Sequence, residues 1–228
     1  SIRMPDGPGR SRLPARRRAA PSAPRRRAPR KGDLTEQRIL DTAERLLADR
    51  SLASIGIDEL ARGAGISRPS FYFYFESREA VLRALAERIT DELYRTSEVW
   101  LRRSDESPAE AVRRTIEANL ALWRQHGAVM RATVNARDTD PELRRYWDAV
   151  ARRFVEATAA QIERERAAGL ARPGPPAALP LASVLVGMNE RAFHEATLRR
   201  PSAAADRELV DTLAHVWLQT VYLAEARG

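Results

Sequence analysis

Cysteine is absent from the 228 residues, which excludes disulfide frameworks, cysteine-ligated zinc and a thiol nucleophile, and leaves no reason to expect an oxidising compartment. Histidine is scarce, and His126, His194 and His215 stand far apart. No histidine or carboxylate pair has metal-ligand spacing, and no nucleophile–base pair or glycine-rich phosphate loop is visible. An enzyme is therefore not expected, nor a cofactor, nor a metal. Long apolar runs are also missing: nothing approaches the roughly 20 consecutive apolar residues of a membrane span, and the basic start, Ser1 to Arg18, lacks the apolar stretch of a secretion signal. The expectation is a cytoplasmic protein with no membrane segment.

What is present is arginine, unevenly placed. Of the 39 basic and 31 acidic side chains behind the net charge of +8, eleven and one lie in Ser1–Gly32, so the rest of the chain is close to neutral. Residues 1–32 are Arg, Pro, Ala and Gly with almost no large apolar side chain, too little to offset the entropy of ordering, and are expected to form a disordered basic arm. Arg16–Arg18, Arg25–Arg27 and Arg30-Lys31 could follow a phosphate backbone or enter a minor groove, releasing counterions. The plainer alternative is a solubilising tail.

From Asp33 the texture becomes helical. Leu34, Ile39, Leu40, Ala43, Leu46 and Leu47 recur at three- and four-residue steps, which predicts a helix to about Asp49. A short helix over Ile57–Gly63 and another from Ser67 to about Tyr74 follow, then a long helix from Ser77 with an apolar stripe from Val81 to Trp100. Further helices are predicted at Pro108–Gln125, Gly127–Ala136, Pro141–Ala168, Ala178–Leu198 and Ser202–Ala226, broken by proline, glycine and acidic residues. Strand alternation is nowhere convincing, so the fold class is all-α with about nine helices.

The segment Ile57-Asp58-Glu59-Leu60-Ala61-Arg62-Gly63-Ala64-Gly65-Ile66-Ser67-Arg68-Pro69-Ser70-Phe71-Tyr72 has the grammar of a helix-turn-helix. Ala61 offers a small surface for a close helix crossing, Gly65 can take the positive φ that the turn requires, and Leu60, Ile66 and Phe71 can seal the core beneath. Arg68, Pro69, Ser70, Tyr72 and Tyr74 would stay outward. A guanidinium at Arg68 can grip guanine O6 and N7, and the Pro69 ring can meet a thymine methyl. Ser67, Tyr72, Tyr74 and Arg78 suit phosphate oxygens. Aromatic stripes are more often core, but five consecutive aromatic residues, Phe71 to Phe75, point all around a helix axis, so some must face outward.

In the second half, Tyr146, Trp147, Val150, Phe154, Thr158 and Ile162 form one helical stripe, for which bulk core is the simplest explanation. On the next helix Asn189 falls within an apolar face containing Leu185, Met188 and Phe193. A buried amide must either bond a neighbouring helix or await a ligand's polar group. Glu190 and Arg191 could form an internal ion pair or a pocket rim. Leu209, Leu213, Val216, Trp217, Thr220 and Val221 offer enough apolar surface for a core and a two-fold partner, and His215 fits a dimer face.

Gly65-Ile66-Ser67-Arg68-Pro69-Ser70-Phe71-Tyr72-Phe73-Tyr74-Phe75 through Ser77-Arg78-Glu79-Ala80-Val81-Leu82 resembles the DNA-binding domain of TetR-family regulators. Met188-Asn189-Glu190-Arg191 and Asp211-Thr212-Leu213-Ala214-His215-Val216-Trp217 resemble the EthR-like branch of that family, so that nearly all of 33–226 is covered, the middle weakly. The resemblance implies an Ω-shaped homodimer of nine-helix subunits with helices 8 and 9 as its interface. It also implies a ligand tunnel with Asn189 as hydrogen-bond donor and Trp147, Phe154, Thr158 and Trp217 as lining; Met188, Trp100 and Trp123 are weaker candidates. The chain departs from the pattern at Arg78, where lysine is usual, and at Gly56, a usual Ser/Thr cap. It departs again at Val112 and Asn119, where aromatics are usual, at Val186 for a second asparagine and at His194 for phenylalanine.

The expectation is thus a basic arm at 1–32, a helix-turn-helix DNA-binding domain at 33–76 and a ligand-binding and dimerisation domain at 77–228. Two recognition helices would lie in successive major grooves about 34–36 Å apart on palindromic operator DNA, and a small hydrophobic effector would select a conformation in which that separation is wrong. The alternative is an architectural nucleic-acid-binding protein, indifferent to sequence, that uses its arm alone.

Overall fold

The computed structural model describes residues 31–101 and 106–222, and within it helix is the only extended secondary structure. The elements run α1 (Lys31–Leu47), a short 3₁₀ turn (Leu52–Ser54), α2 (Ile57–Gly63), α3 (Arg68–Phe71), α4 (Arg78–Leu101), α5 (Pro108–Gln125), α6 (Gly127–Ala136), α7 (Pro141–Ala167), α8 (Ala178–Thr197) and α9 (Ala203–Val221). Residues 1–30, most of the expected arm, lie outside the described residues, whereas Lys31 and Gly32 already belong to α1.

Local chemistry explains most boundaries. Ser107 opens α5 through a reciprocal capping box: Glu110 N donates to Ser107 Oγ at 3.3 Å, and Ser107 N donates to Glu110 Oε2 at 2.9 Å. Asp140 opens α7, its Oδ1 accepting from the backbone N–H groups of Glu142 at 2.9 Å and Leu143 at 3.1 Å, with Pro141 in the first turn where its missing N–H costs nothing. Ser202 caps α9 in the same way.

Two predicted ends need correction. The recognition helix stops at Phe71, not Tyr74, because its last turn tightens: Phe73 N and Tyr74 N donate three residues back, to Ser70 O and Phe71 O. The last helix stops at Val221, not Ala226, because Tyr222 turns to extended backbone and pairs with Ala171 in an antiparallel bridge.

One apolar cluster runs from Ile39 in α1 to Tyr222, so both halves share a core. The central α4 packs against α1 on one side and α5, α6 and α7 on the other. It thereby connects the helix-turn-helix to the larger bundle. Among the described residues no helix is long and apolar enough to cross a membrane, and no group of three or more His, Asp or Glu could hold a metal ion.

Candidate DNA interface and effector cavity

The N-terminal unit is organised by its turn. Gly65 has φ +71°, which an L side chain adopts only at a cost. With it Ile66 N donates to Ala61 O at 3.0 Å and Gly65 N to Arg62 O at 3.1 Å, a Schellman closure of α2. Ala61 is buried, and α1 also comes close at Gly63, where an added Cβ would lie 2.3 Å from Thr42 Cγ2. Gly56 has no side chain to cap α2, so only the returning half of a capping box exists, Gly56 N donating to Glu59 Oε2 at 2.9 Å. Glu59 also takes a two-pronged grip from Arg50, at 2.6 and 3.1 Å. Those bonds, Arg50 first and Gly56 second, push the Glu59 carboxyl down to about 2.

Ser67 caps α3, accepting from Ser70 N at 3.3 Å, and its Oγ lies 2.8 Å from Ser70 Oγ. Phe71 and Phe75 are buried and seal the unit from below. Arg68 and Pro69 are exposed, Ser70 and Tyr74 half-buried, and Tyr72 is 47 % exposed. The Arg68 guanidinium is held at 3.0 Å from Asp58 Oδ2, on α2. Arg78 turns toward the protein, Nη1 donating to Ala53 O at 2.8 Å and Ile55 O at 3.3 Å and Nε to Glu79. It ties the start of α4 to the turn before α2. The residue not singled out from the sequence is Phe73, two positions past α3 and 87 % exposed. The signal was there: in a run of five aromatics, some had to face water.

The second site is a half-open cavity of about 130 Å³ in the larger bundle. From α7 it is lined by Trp147, Val150, Phe154 and Thr158, the stripe read from the sequence. Helix α9 contributes Trp217, and α8 contributes Val186, Asn189, Glu190 and Phe193. Thr115, Asn119 and Trp123 close it from α5, and Leu93 from α4. Five of the six residues nominated as ligand-binding therefore meet here. Met188, the sixth, packs half-buried against the core. The lining positions 186, 189, 190 and 193 share one helix face, and a one-residue offset turns Met188 about 100° away from Asn189. Of the weaker candidates, Trp123 lines the cavity, while the Trp100 side chain lies outside the described residues.

The cavity's polar groups are partly spoken for. Trp217 Nε1 donates to Asn189 Oδ1 at 3.1 Å, so the amide, half-buried rather than buried, does bond a neighbouring helix. Glu190 Oε1 accepts from Trp147 Nε1 at 2.9 Å and Arg137 Nη1 at 3.1 Å, whereas Arg191 pairs with Glu195 at 2.6 Å. Glu190 and Arg191 are thus not each other's partners. Trp123 meets Trp147 edge-on with ring centroids 6.5 Å apart, which makes that wall rigid and aromatic.

Comparison with known proteins identifies the family. Residues 39–85 match the family described as bacterial regulatory proteins, tetR family, and residues 112–223 match the C-terminal domain of the transcriptional regulator EthR. The HTH-type transcriptional regulator EthR of Mycolicibacterium smegmatis is 39% identical over 198 residues, covering 87% of this chain and 91% of that protein. The EthR of Mycobacterium tuberculosis H37Rv is 39% identical over 206 residues, covering 87% and 92%. A transcriptional regulator from Saccharomonospora viridis, solved in complex with choline, shares the fold at a TM-score of 0.69 with 20% identity, over 82% of this chain and 97% of that one. An arm-only architectural role is not favoured beside matches of this extent. The chain belongs to the TetR family, with a C-terminal domain of the EthR type, and is a ligand-responsive, DNA-binding transcriptional regulator rather than an enzyme.

Proposed function

We propose that the chain is a cytoplasmic repressor that binds a palindromic operator as a homodimer and is released by a small, largely apolar effector. In this reading residues 33–76 contact DNA and residues 77–228 hold the effector and the dimer face. The observation that carries it is the aromatic cavity at Trp147, Asn189 and Trp217, built into the same continuous core as an outward-facing recognition helix.

Arg68 and Pro69 read base edges, and Ser67, Ser70, Tyr72 and Tyr74 meet the backbone. Arg78, bonded to Ala53 and Ile55 carbonyls, sets the angle of the unit as well as adding charge near phosphate. Helices α8 and α9 form the dimer interface, for which Leu179 and Val184 on α8, 55% and 68% exposed, are the supporting observation. The effector fills the cavity against Trp147, Phe154, Thr158 and Trp217, with Asn189 Nδ2 as donor and Met188 acting from behind the wall.

The limit is set by differential affinity: moving operator occupancy from 1:99 to 99:1 requires the effector to favour the released form by about 5.5 kcal/mol. The test is protection mapping on DNA upstream of the chain's own gene, repeated with a panel of apolar compounds. A two-fold-symmetric footprint that one compound abolishes supports the reading. Equal protection of all sequences would remove it.

A further inference from the structure

Thr115 and Asn119 lie one helical turn apart on α5, and both face the effector cavity. Asn119 is the position where the sequence departs from an aromatic, and the structure shows what the change provides. Its Nδ2 donates to Thr115 O at 3.0 Å, which fixes the amide and turns Oδ1 away as an acceptor. The Thr115 hydroxyl is buried and has no hydrogen-bond partner among the described residues. A buried polar atom left unsatisfied is a standing cost to the fold unless something else arrives to satisfy it.

Across the cavity the chemistry is complementary. Trp217 Nε1 donates to Asn189 Oδ1, which fixes the orientation of the amide and makes Nδ2 the donor that α8 offers. Glu190 is negative, but Arg137 at 3.1 Å already answers that charge. The polar end of the cavity therefore presents a donor from Asn189, an acceptor from Asn119 and a hydroxyl from Thr115 that can serve as either. Apart from Thr158 and the paired Glu190, the rest of the lining is aromatic or aliphatic.

We infer that the effector carries an uncharged carboxamide-like head, held between α5 and α8 by Thr115, Asn119 and Asn189, on a body of about one aromatic ring. The inference rests on the cavity being the effector site. Its carbonyl accepts from Asn189 Nδ2 and Thr115, and its N–H donates to Asn119 Oδ1. A carboxylate head would face Asn119 Oδ1 and the Glu190 carboxylate, acceptors against acceptors. A quaternary ammonium would find no uncompensated negative charge, and a hydrocarbon would leave Thr115 unsatisfied. The size follows from the volume, since a cavity near 130 Å³ is of the order that admits a benzene-sized guest.

The experiment uses the full chain and four probes of similar size: phenylacetamide, phenylacetate, ethylbenzene and benzyltrimethylammonium. Binding is read by tryptophan fluorescence and by calorimetry. Phenylacetamide should bind about ten-fold tighter than ethylbenzene, the worth of one or two net hydrogen bonds, with the two ions weaker still. Thr115→Val and Asn119→Leu should each bring the amide down toward the hydrocarbon, and Thr115→Val should raise the melting temperature of the unliganded protein. Equal binding of amide and hydrocarbon to the wild type overturns the inference and leaves the cavity as the effector site. Preference for either ion also overturns it. Binding of none of the four overturns both.

Discussion

His126 Nδ1 lies 2.6 Å from Glu44 Oε1, joining the corner between α5 and α6 to α1 of the DNA-binding unit. The same carboxylate takes Arg88 of α4 at 2.5 Å, and Arg88 reaches Asp41 of α1 at 2.9 Å. The imidazole is nearly buried, and its other nitrogen stands 3.6 Å from Glu92 of α4. One turn before His126 on the same helix is Trp123, part of the cavity wall. A displacement of Trp123 would thus have a short path, along the end of α5, to a bond that ends on α1. Coupling between sites is worth about 1–3 kcal/mol in ordinary cases. His126→Phe is expected to lose most of that, so that effector and operator each still bind while the effector no longer weakens operator binding. Operator titrations with and without effector measure it, and an undiminished response would show that the signal travels elsewhere.

Phe73 is 87% exposed and contributes almost nothing to the core. Phe73→Ser should leave unfolding free energy within about 0.5 kcal/mol of wild type, as for other surface changes. Operator affinity should fall nonetheless, because an apolar ring left this exposed two residues past α3 has the solvent-facing side of the DNA-binding unit to act on. Denaturant melts and DNA titrations on one preparation separate the two effects.

Arg68→Ala should cost about 1–3 kcal/mol at one base position in each half-site and little at the others. The Asp58 carboxylate that holds the guanidinium at 3.0 Å supplies a companion variant, since Asp58→Asn frees the arginine without removing it. Binding to a set of single-base operator variants is the measurement. An unchanged base preference in Arg68→Ala would take that residue out of the readout.

Glu59 has its carboxyl lowered from about 4.5 to about 2, chiefly by Arg50 and then by Gly56 N. A group depressed in the folded state contributes stability that is full above the unfolded value and is lost as pH falls from there through the folded one. The contribution of Glu59 is therefore present above about pH 4.5 and disappears toward pH 2. Glu59→Gln should destabilise the protein near neutrality and flatten the pH dependence of its melting temperature in that window. Parallel thermal scans of the two proteins across the acid range would show it.

Gly65→Ala places a methyl at φ +71°, where left-handed backbone costs a non-glycine residue about 1–2 kcal/mol. The space itself is open, the nearest atom being 4.0 Å away on Arg38, so the loss should be conformational and not steric. Gly65→Asn should recover part of it.

The helix plan was legible because its boundaries are chemical. Ser107-Pro108 and Asp140-Pro141 carry their caps in the sequence, and α5 and α6 run over the residues expected of them. The cavity was legible in part: the α7 stripe and Asn189 could be read and Asn119 stood out as a departure from the family pattern, but Thr115 could not, because a lone threonine on an amphipathic helix looks the same whether it faces water or a cavity. Glu190 was left between an ion pair with Arg191 and a place at the pocket rim; it lines the cavity, and its ion pair is with Arg137 instead, with Trp147 donating as well. Phe73 was hidden for a different reason. Periodicity shows that an aromatic run must expose some of its members, but the tightened turn after Phe71 decides which.

The end of α9 is fastened to the loop after α7. Arg172 N donates to Val221 O and Arg172 Nε to Tyr222 O, both at 2.8 Å, and the Tyr222 side chain is fully buried. Trp217, one turn earlier, hangs on this clasp. The cavity wall is therefore hostage to one residue beyond α9: a chain cut just ahead of Tyr222 would keep the helix-turn-helix whole but lose the clasp that steadies Trp217, and should still grip DNA while going deaf to whatever the cavity holds.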